Sequence, residues 1–398
     1  MTEDHATKER SRVPVSAPEP DGGELGEDTG SHELPRIRLT RGRILASIVF
    51  VLSMAAFLYF VLPKILGLKE TWNRLGQGDV WWLVIAAFLE LLSFASYVAL
   101  FRAVFVRDKG KTGKREPKIG WRESYQITMA GVAATRLFAA AGAGGVALTA
   151  WALTRSGMRP RIVACRMVAF LVLLYGVYMA TFVIVGLGLY FGVFEGPAPF
   201  AATVIPAIFG GVVIVLFLAM ALIPGDLERL VARWTTPDTR FGRAMQRLAA
   251  LPATAATGIR TAIGLVRTKD PYLLGAVGWW GFDIAVLWAC FHAFGHPPPQ
   301  AVIVMCYFIG MLGNTLPLPG GIGGVDGGMI GAFTAFGVNA ELAVVSVLAY
   351  RAFAFWLPTI PGAIAYLQLR KTVQRWRSEG REQRGSEAPS ASEAPSYT

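Results

Sequence analysis

Apolar residues in this chain gather in runs long enough to cross a bilayer. A run of about 18 or more is a span candidate, because roughly 20 helical residues cover a hydrocarbon core about 30 Å thick. Six runs qualify: Ile44–Leu62, Val80–Phe101, Ile162–Phe191, Phe200–Pro224, Tyr272–Phe294 and Leu342–Leu369. The expected fold is an all-α polytopic membrane protein. Ile44–Leu62 follows a long polar leader and has no small-residue cleavage site after it, so it reads as a retained span and not a signal peptide. Residues 1–35, rich in Glu, Asp, Gly, Pro and Ser, read as a disordered tail. Residues 371–398, which repeat Ser-Glu-Ala-Pro-Ser, read as a second.

Between the long runs lie two shorter apolar passages broken by glycine. Gly131, Leu137, Gly142, Gly144, Gly145 and Val146 recur 179 positions later as Gly310, Leu316, Gly321, Gly323, Gly324 and Val325. Glycine permits positive φ and close backbone approach, so Gly142, Gly144, Gly145, Gly320, Gly321, Gly323 and Gly324 allow a turn within the membrane. The freed N–H groups of the next helix could face an anion there. Close helix packing through small residues is the competing account. Pro317 and Pro319 interrupt the second copy and favour the hairpin. The arm Val325–Phe336 reaches only about 18 Å at ~1.5 Å per residue, short of a span.

Charge sets the orientation. Lys and Arg cluster at Arg36–Arg43, Arg102–Arg122, Arg229–Lys269 and Arg370–Arg377, whereas Glu195–Pro199, Gly295–Gln300 and Gly337–Glu341 carry none. Basic loops stay in the cytoplasm. Both termini are therefore expected inside; Lys64, Lys69 and Arg74, on the outer side, fit less well. The first hairpin has both ends among basic residues and the second has both ends among loops without them, so the two dip in from opposite faces. The fold expected is two inverted-topology repeats, 36–199 and 200–370, each with a re-entrant glycine-rich helical hairpin. Direct duplication with a miscounted span is the alternative. Within the second half, 226–270 reads as an interfacial amphipathic segment: Leu227, Leu230, Val231 and Trp234 share one helical face, and Phe241, Met245 and Leu248 another. A solvated linker is the alternative there.

Composition narrows the function. The chain is 54% hydrophobic and 16% charged, and its net charge of +11 sits beside spans without aromatic interleaving, which argues against nucleic acid. Abundant Arg, Ala and Gly hint at a bacterial source, hence a bacterial inner membrane. Cys165, Cys290 and Cys306 fall in apolar stretches and read as small buried hydrophobes, and neither they nor the four histidines form a metal spacing. No phosphate-binding loop, zinc motif, nucleophile elbow or dinucleotide fingerprint occurs, so no catalytic residue, metal or cofactor is assigned.

Ionisable residues inside spans carry the functional signal, since each costs roughly 2.5–3.5 kcal/mol at the bilayer centre. Glu90 and Asp283 sit mid-span at matching positions, Arg351 lies within the last span, Arg166 lies near the inner edge of its span, and Arg136, Asn314 and Asp326 lie in or beside the hairpins. In one reading the arginines neutralise a lipid phosphate while Glu90, Asp283 and Asp326 bind cationic substituents or carry protons. In the other, an acid such as Asp283 pairs with Arg351 only to hold the halves together.

Pro319-Gly320-Gly321-Ile322-Gly323-Gly324-Val325-Asp326, then Gly337 and Arg351, resembles the signature of the lysylphosphatidylglycerol synthase/flippase membrane-domain family. The likeness runs from about Arg41 to Arg370. It implies a stand-alone flippase-like protein without the aminoacyl-transfer domain. Two departures are Asp326, where the family usually has Glu, and Ala140 with Gly145-Val146-Ala147, where relatives commonly have Pro and a Gly-Glu pair. The expected partners are membrane lipids: an anionic or aminoacylated phospholipid or a lipid-linked saccharide. A homo-oligomer is allowed. The alternative function is a membrane enzyme or accessory factor in lipid-linked glycan or aminoacyl-lipid synthesis, with Asp326 or Glu341 as its carboxylate. A scaffold that recruits partners through its tails is a third.

Overall fold

In the computed structural model the described residues are 76–107, 119–137, 143–222, 240–316, 321 and 323–387, with side chains left aside at 143, 240–253 and 379–387. The expected span Ile44–Leu62, the tail 1–35, Lys64, Lys69 and Arg74, Gly142, Pro317–Gly320 and Leu227–Trp234 lie outside them, as do the side chains of Phe241, Met245 and Leu248.

The chain is all-helical over the described residues. The helices are α1 (Val80–Arg102), α2 (Trp121–Leu137), α3 (Ala143–Arg155), α4 (Pro160–Tyr190), α5 (Phe200–Ala221), α6 (Arg240–Arg267), α7 (Gly275–Phe294), α8 (Gln300–Met311), α9 (Gly324–Ala335), α10 (Ala340–Arg351) and α11 (Leu357–Glu387). A π-turn, Ala103–Arg107, ends α1, and another, Ala352–Trp356, joins α10 to α11. Five stretches are long and apolar enough to span: Val80–Val106, Pro160–Tyr190, Phe200–Ala221, Pro271–Phe294 and Ala340–Ser378. They coincide with the five expected spans that fall among the described residues. Starts follow local chemistry: the Asp79 carboxylate accepts from Trp81 N–H at 2.9 Å, and Asn339 Oδ1 accepts from Glu341 and Leu342 N–H. Pro160 occupies the first turn of α4, where its missing donor costs nothing.

α1 and α7 pack antiparallel. Asp79 N–H donates to Ala293 carbonyl at one end, while Gly275 lies against Ser96 and Leu100 at the other. Between them Ser93 Oγ donates to the Trp279 carbonyl at 3.0 Å. The core beside this pair is aromatic. Tyr178, Trp280, Phe308 and Tyr307 stack or meet edge to face, and Trp280 Nε1 donates to the Leu174 carbonyl at 2.8 Å. Outward, α5 exposes Ile205, Ile208, Val212, Val215 and Leu216, as a helix apolar all round does in lipid.

The glycine-rich arms form two hairpins, α2/α3 and α8/α9. In the first, Gly131 lies against Thr149; in the second, Gly310 lies against Gly328, and both partners are 179 positions apart. Gly313 meets Gly324 backbone to backbone: a Cβ on Gly313 would sit 2.3 Å from the Gly324 carbonyl carbon. Gly321 (φ +65°) and Gly323 (φ +85°) take left-handed turns just before α9. Gly321 and Gly323 thus turn the chain, whereas Gly145, Gly313 and Gly324 sit at close backbone approaches.

The hairpins open toward opposite ends of the α10–α11 rod. The second has its open end beside the start of α10, where Pro299, Gly337 and Asn339 line one cavity with Pro197 and His296. Those three loops are the ones without Lys or Arg. The first opens toward the far end of α11, where Gln126 accepts from Thr372 Oγ1 at 2.9 Å. Its tip reaches the middle of the rod, where Arg136 Nη1 donates to the Phe355 carbonyl at 3.2 Å.

Two expectations shift. Helix α11 runs to Glu387, so residues 371–387 are helical where a tail is expected; Thr372 and Val373 are buried against the bundle, which holds the helix past the last apolar run. Cys165, near the start of α4, is only partly buried, unlike Cys290 and Cys306. Over its described side chains, α6 docks Ala256, Ile259, Ala262 and Leu265 inward.

Candidate functional site

Ionisable residues converge where the hairpin tips meet the middle of the α10–α11 rod. From the second hairpin comes Asp326, fully buried in the first turn of α9. Its Oδ2 accepts from Gly323 N–H at 2.8 Å and caps the helix. Its Oδ1 meets Arg351 Nε at 2.6 Å, so α9 is tied to the end of α10 by a buried ion pair. The Arg351 guanidinium also lies 5.2 Å from the Phe355 ring centroid.

Glu90 on α1 and Asp283 on α7 face each other across the antiparallel pair, 2% and 6% exposed. The α1/α7 packing brings the two carboxyl groups into electrostatic contact. Asp283 Oδ2 accepts from the hydroxyls of Tyr307 and Tyr350. Glu90 Oε2 is buried with no hydrogen-bond partner. Arg136, at the tip of the first hairpin, stands within electrostatic reach of Glu90, Asp283 and Arg351. Its guanidinium lies between the Phe94 and Phe355 rings, at 5.6 and 5.8 Å.

Five of the sequence-selected residues thus come together: Glu90, Arg136, Asp283, Asp326 and Arg351. Arg351 pairs with Asp326, whereas the structural alternative had paired it with Asp283. Arg166 stands apart and donates to the Phe105 carbonyl at 3.0 Å, about 20 Å along α1 from Glu90 at ~1.5 Å per residue. Asn314 is exposed at the hairpin turn; its Nδ2 contacts Met311 Sδ at 3.3 Å and its side chain crowds Gly321. Gly144 and Gly145 begin α3, while Gly142 and Gly320 lie outside the described residues. Tyr307, Tyr350 and Phe355 escape a search for charge. A signal existed for the tyrosines, since a hydroxyl in an apolar run needs a partner once buried. Among the described residues no group of three or more His, Cys, Asp or Glu side chains is arranged to hold a metal ion.

The sequence matches the family described as "Lysylphosphatidylglycerol synthase TM region" over residues 44–362. The chain belongs to this family. The match embraces every residue of the buried cluster and both hairpins. Members of the lysylphosphatidylglycerol synthase membrane-region family are membrane proteins linked to lipid handling. Curated relatives are archaeal proteins named UPF0104 membrane protein. One alignment to Methanothermobacter thermautotrophicus is 22% identical over 80% of this chain and 94% of the relative. Another to that organism is 32% identical over 25% of this chain, which spans only 28% of the relative's length. A Methanocaldococcus jannaschii relative is 32% identical over 24% of this chain and 28% of its own length. These archaeal names lend no support to the bacterial origin read from composition.

Proposed function

We propose that this protein moves a lipid with a charged head group between leaflets, along a route through the region where the two hairpin tips meet. The observation that carries the reading is the charged cluster in which Glu90, Asp283, Asp326 and Arg351 are buried and Arg136 is half-buried beside them. Buried charge is expensive in a membrane protein and is retained along substrate and ion routes. Arg136 and Arg351 offer planar donors suited to a phosphate, and the N-terminus of α9 adds backbone donors beside them. In this reading Arg166 is the phosphate contact nearer the inner leaflet and Asn314 a polar contact at the hairpin turn. The lipid is an anionic or aminoacylated phospholipid or a lipid-linked saccharide.

The architecture that goes with this reading is a pair of inverted repeats, 36–199 and 200–370, rocking against each other with both termini in the cytoplasm. Support comes from the antiparallel α1/α7 pair, from glycine crossings 179 positions apart, and from hairpins that open toward opposite ends of the α10–α11 rod. The synthetic alternative needs a carboxylate open to substrate; Asp326 is enclosed and paired, which leaves it the half-buried Glu341 at the start of α10.

The test is a vesicle assay. Purified protein is reconstituted with fluorescent phosphatidylglycerol, its lysyl derivative or a lipid-linked saccharide, and inward-facing label is followed by dithionite quenching. Protein-dependent quenching of at least one lipid is expected, with a large loss in Arg351→Ala. Quenching no faster than in empty vesicles for all three lipids refutes lipid translocation. Equal rates in wild type and Arg351→Ala remove that arginine from the route.

A further inference from the structure

The charged cluster is unbalanced. Among its described residues three carboxylates, Glu90, Asp283 and Asp326, meet two guanidiniums, Arg136 and Arg351. Arg351 is committed to Asp326 at 2.6 Å. Arg136 is left to serve Glu90 and Asp283 together, and its Nη1 donates to the Phe355 carbonyl. Like charges at close range repel, and a carboxylate oxygen taken from water needs a donor or a cation. Asp283 has the two tyrosine hydroxyls. Glu90 Oε2 is buried with nothing.

We propose that the Glu90–Asp283 pair binds one small monovalent cation, a proton or Na+, and that this ion couples lipid movement to a gradient. The inference rests on the lipid-translocation reading for its coupling role but not for the binding itself. The enclosure of both carboxyls selects a small ion over the amine of a lipid head group, which could not reach a pair 2% and 6% exposed. The position also fits, since coupling-ion sites in transporters lie where two halves of the bundle meet. Facing Glu90 and Asp283 are Arg136 from α2, Cys290 on α7, Tyr307 from α8 and Tyr350 from α10. Asp326 and Arg351 complete the charged surroundings from α9 and α10. Ser346 Oγ, one turn before Tyr350, is a second buried oxygen without a partner.

The experiment is thermal unfolding of the full chain in lipid nanodiscs, since a ligand that binds only the folded state raises the midpoint. One arm replaces choline with Na+ at a fixed alkaline pH. The other lowers the pH from about 8.5 to 6 in choline. An upward shift of several degrees in either arm is expected for wild type, and the arm that responds names the ion. Glu90→Gln, isosteric and uncharged, and Asp283→Asn should each abolish that shift. A wild-type midpoint that moves no more than that of Glu90→Gln in both arms overturns the proposal, and wild type alone suffices if it is flat in both. An ion response without lipid movement in vesicles leaves the cation site standing and refutes the lipid reading. Lipid movement without an ion response does the reverse.

Discussion

The Asp326–Arg351 contact makes a quantitative prediction. At 2.6 Å, with side chains 0% and 10% exposed, Coulomb's law with an effective dielectric of about 20 gives an attraction of about 6 kcal/mol. Desolvation offsets much of that, so the pair adds little net stability, but removing one partner leaves the other charge buried alone. Arg351→Met should therefore cost roughly 3–5 kcal/mol. Asp326→Asn should cost a similar amount, although the amide oxygen can still accept from Gly323 N–H and keep the α9 cap. The double variant removes both charges, so its loss should fall short of the sum of the two single losses by a coupling energy of roughly 2–3 kcal/mol. The assay is reversible unfolding in mixed detergent micelles for all four proteins. Single variants that each lose less than about 1 kcal/mol, or losses that add within ~0.5 kcal/mol, would refute a buried, mutually dependent pair.

Gly313→Ala and Gly321→Ala should each destabilise by at least ~1–3 kcal/mol: the first Cβ would lie 2.3 Å from the Gly324 backbone, and the second combines φ +65° with a 2.2 Å approach to Asn314. Gly281→Ala, where nothing lies within 4 Å, should instead stabilise α7 by about 0.5–1 kcal/mol in the same unfolding assay. Trp280→Phe removes the donor to the Leu174 carbonyl and should cost roughly 1–3 kcal/mol; an unchanged midpoint would show that the carbonyl is satisfied otherwise. With a membrane-permeant maleimide, the partly buried Cys165 should label well before Cys290 and Cys306, which should react only on denaturation. Mass spectrometry of the labelled peptides would decide this.

The spans were legible in the sequence because bilayer thickness imposes a length, and five expected runs agree with helices to within a few residues, apart from the polar extension of α11. The charged cluster was legible because each member violates the apolar pattern. Its pairing was not. Mid-span position alone could not tell whether Arg351 meets Asp283 or Asp326, since that depends on how deep the α8/α9 hairpin reaches, which Gly313 and Gly324 fix by backbone contact. Nor could it tell that Tyr307 and Tyr350 satisfy Asp283, because tyrosine is common in apolar helices for packing alone. The helical continuation past Arg370 was hidden by its polar composition, and only the burial of Thr372 and Val373 against the bundle accounts for it.

Two arginines singled out as phosphate ligands prove to have a second engagement, which changes what translocation must involve. Arg136 donates to the carbonyl of Phe355 and Arg166 to that of Phe105, and each carbonyl belongs to a π-turn. A π-turn disturbs the regular ladder of backbone hydrogen bonds, and a carbonyl at membrane depth needs a donor in place of water. A lipid phosphate reaching Arg136 therefore competes with a backbone group on the α10–α11 rod. Guanidinium has several donors, so it can hold both, but only in a geometry set by the π-turn. In the translocation reading, head-group binding at the first hairpin is thereby linked mechanically to the segment directly after Arg351, whose ion pair holds the second. The link needs no long-range pathway, because Arg136 and Arg351 both lie against the ring of Phe355, at 5.8 and 5.2 Å.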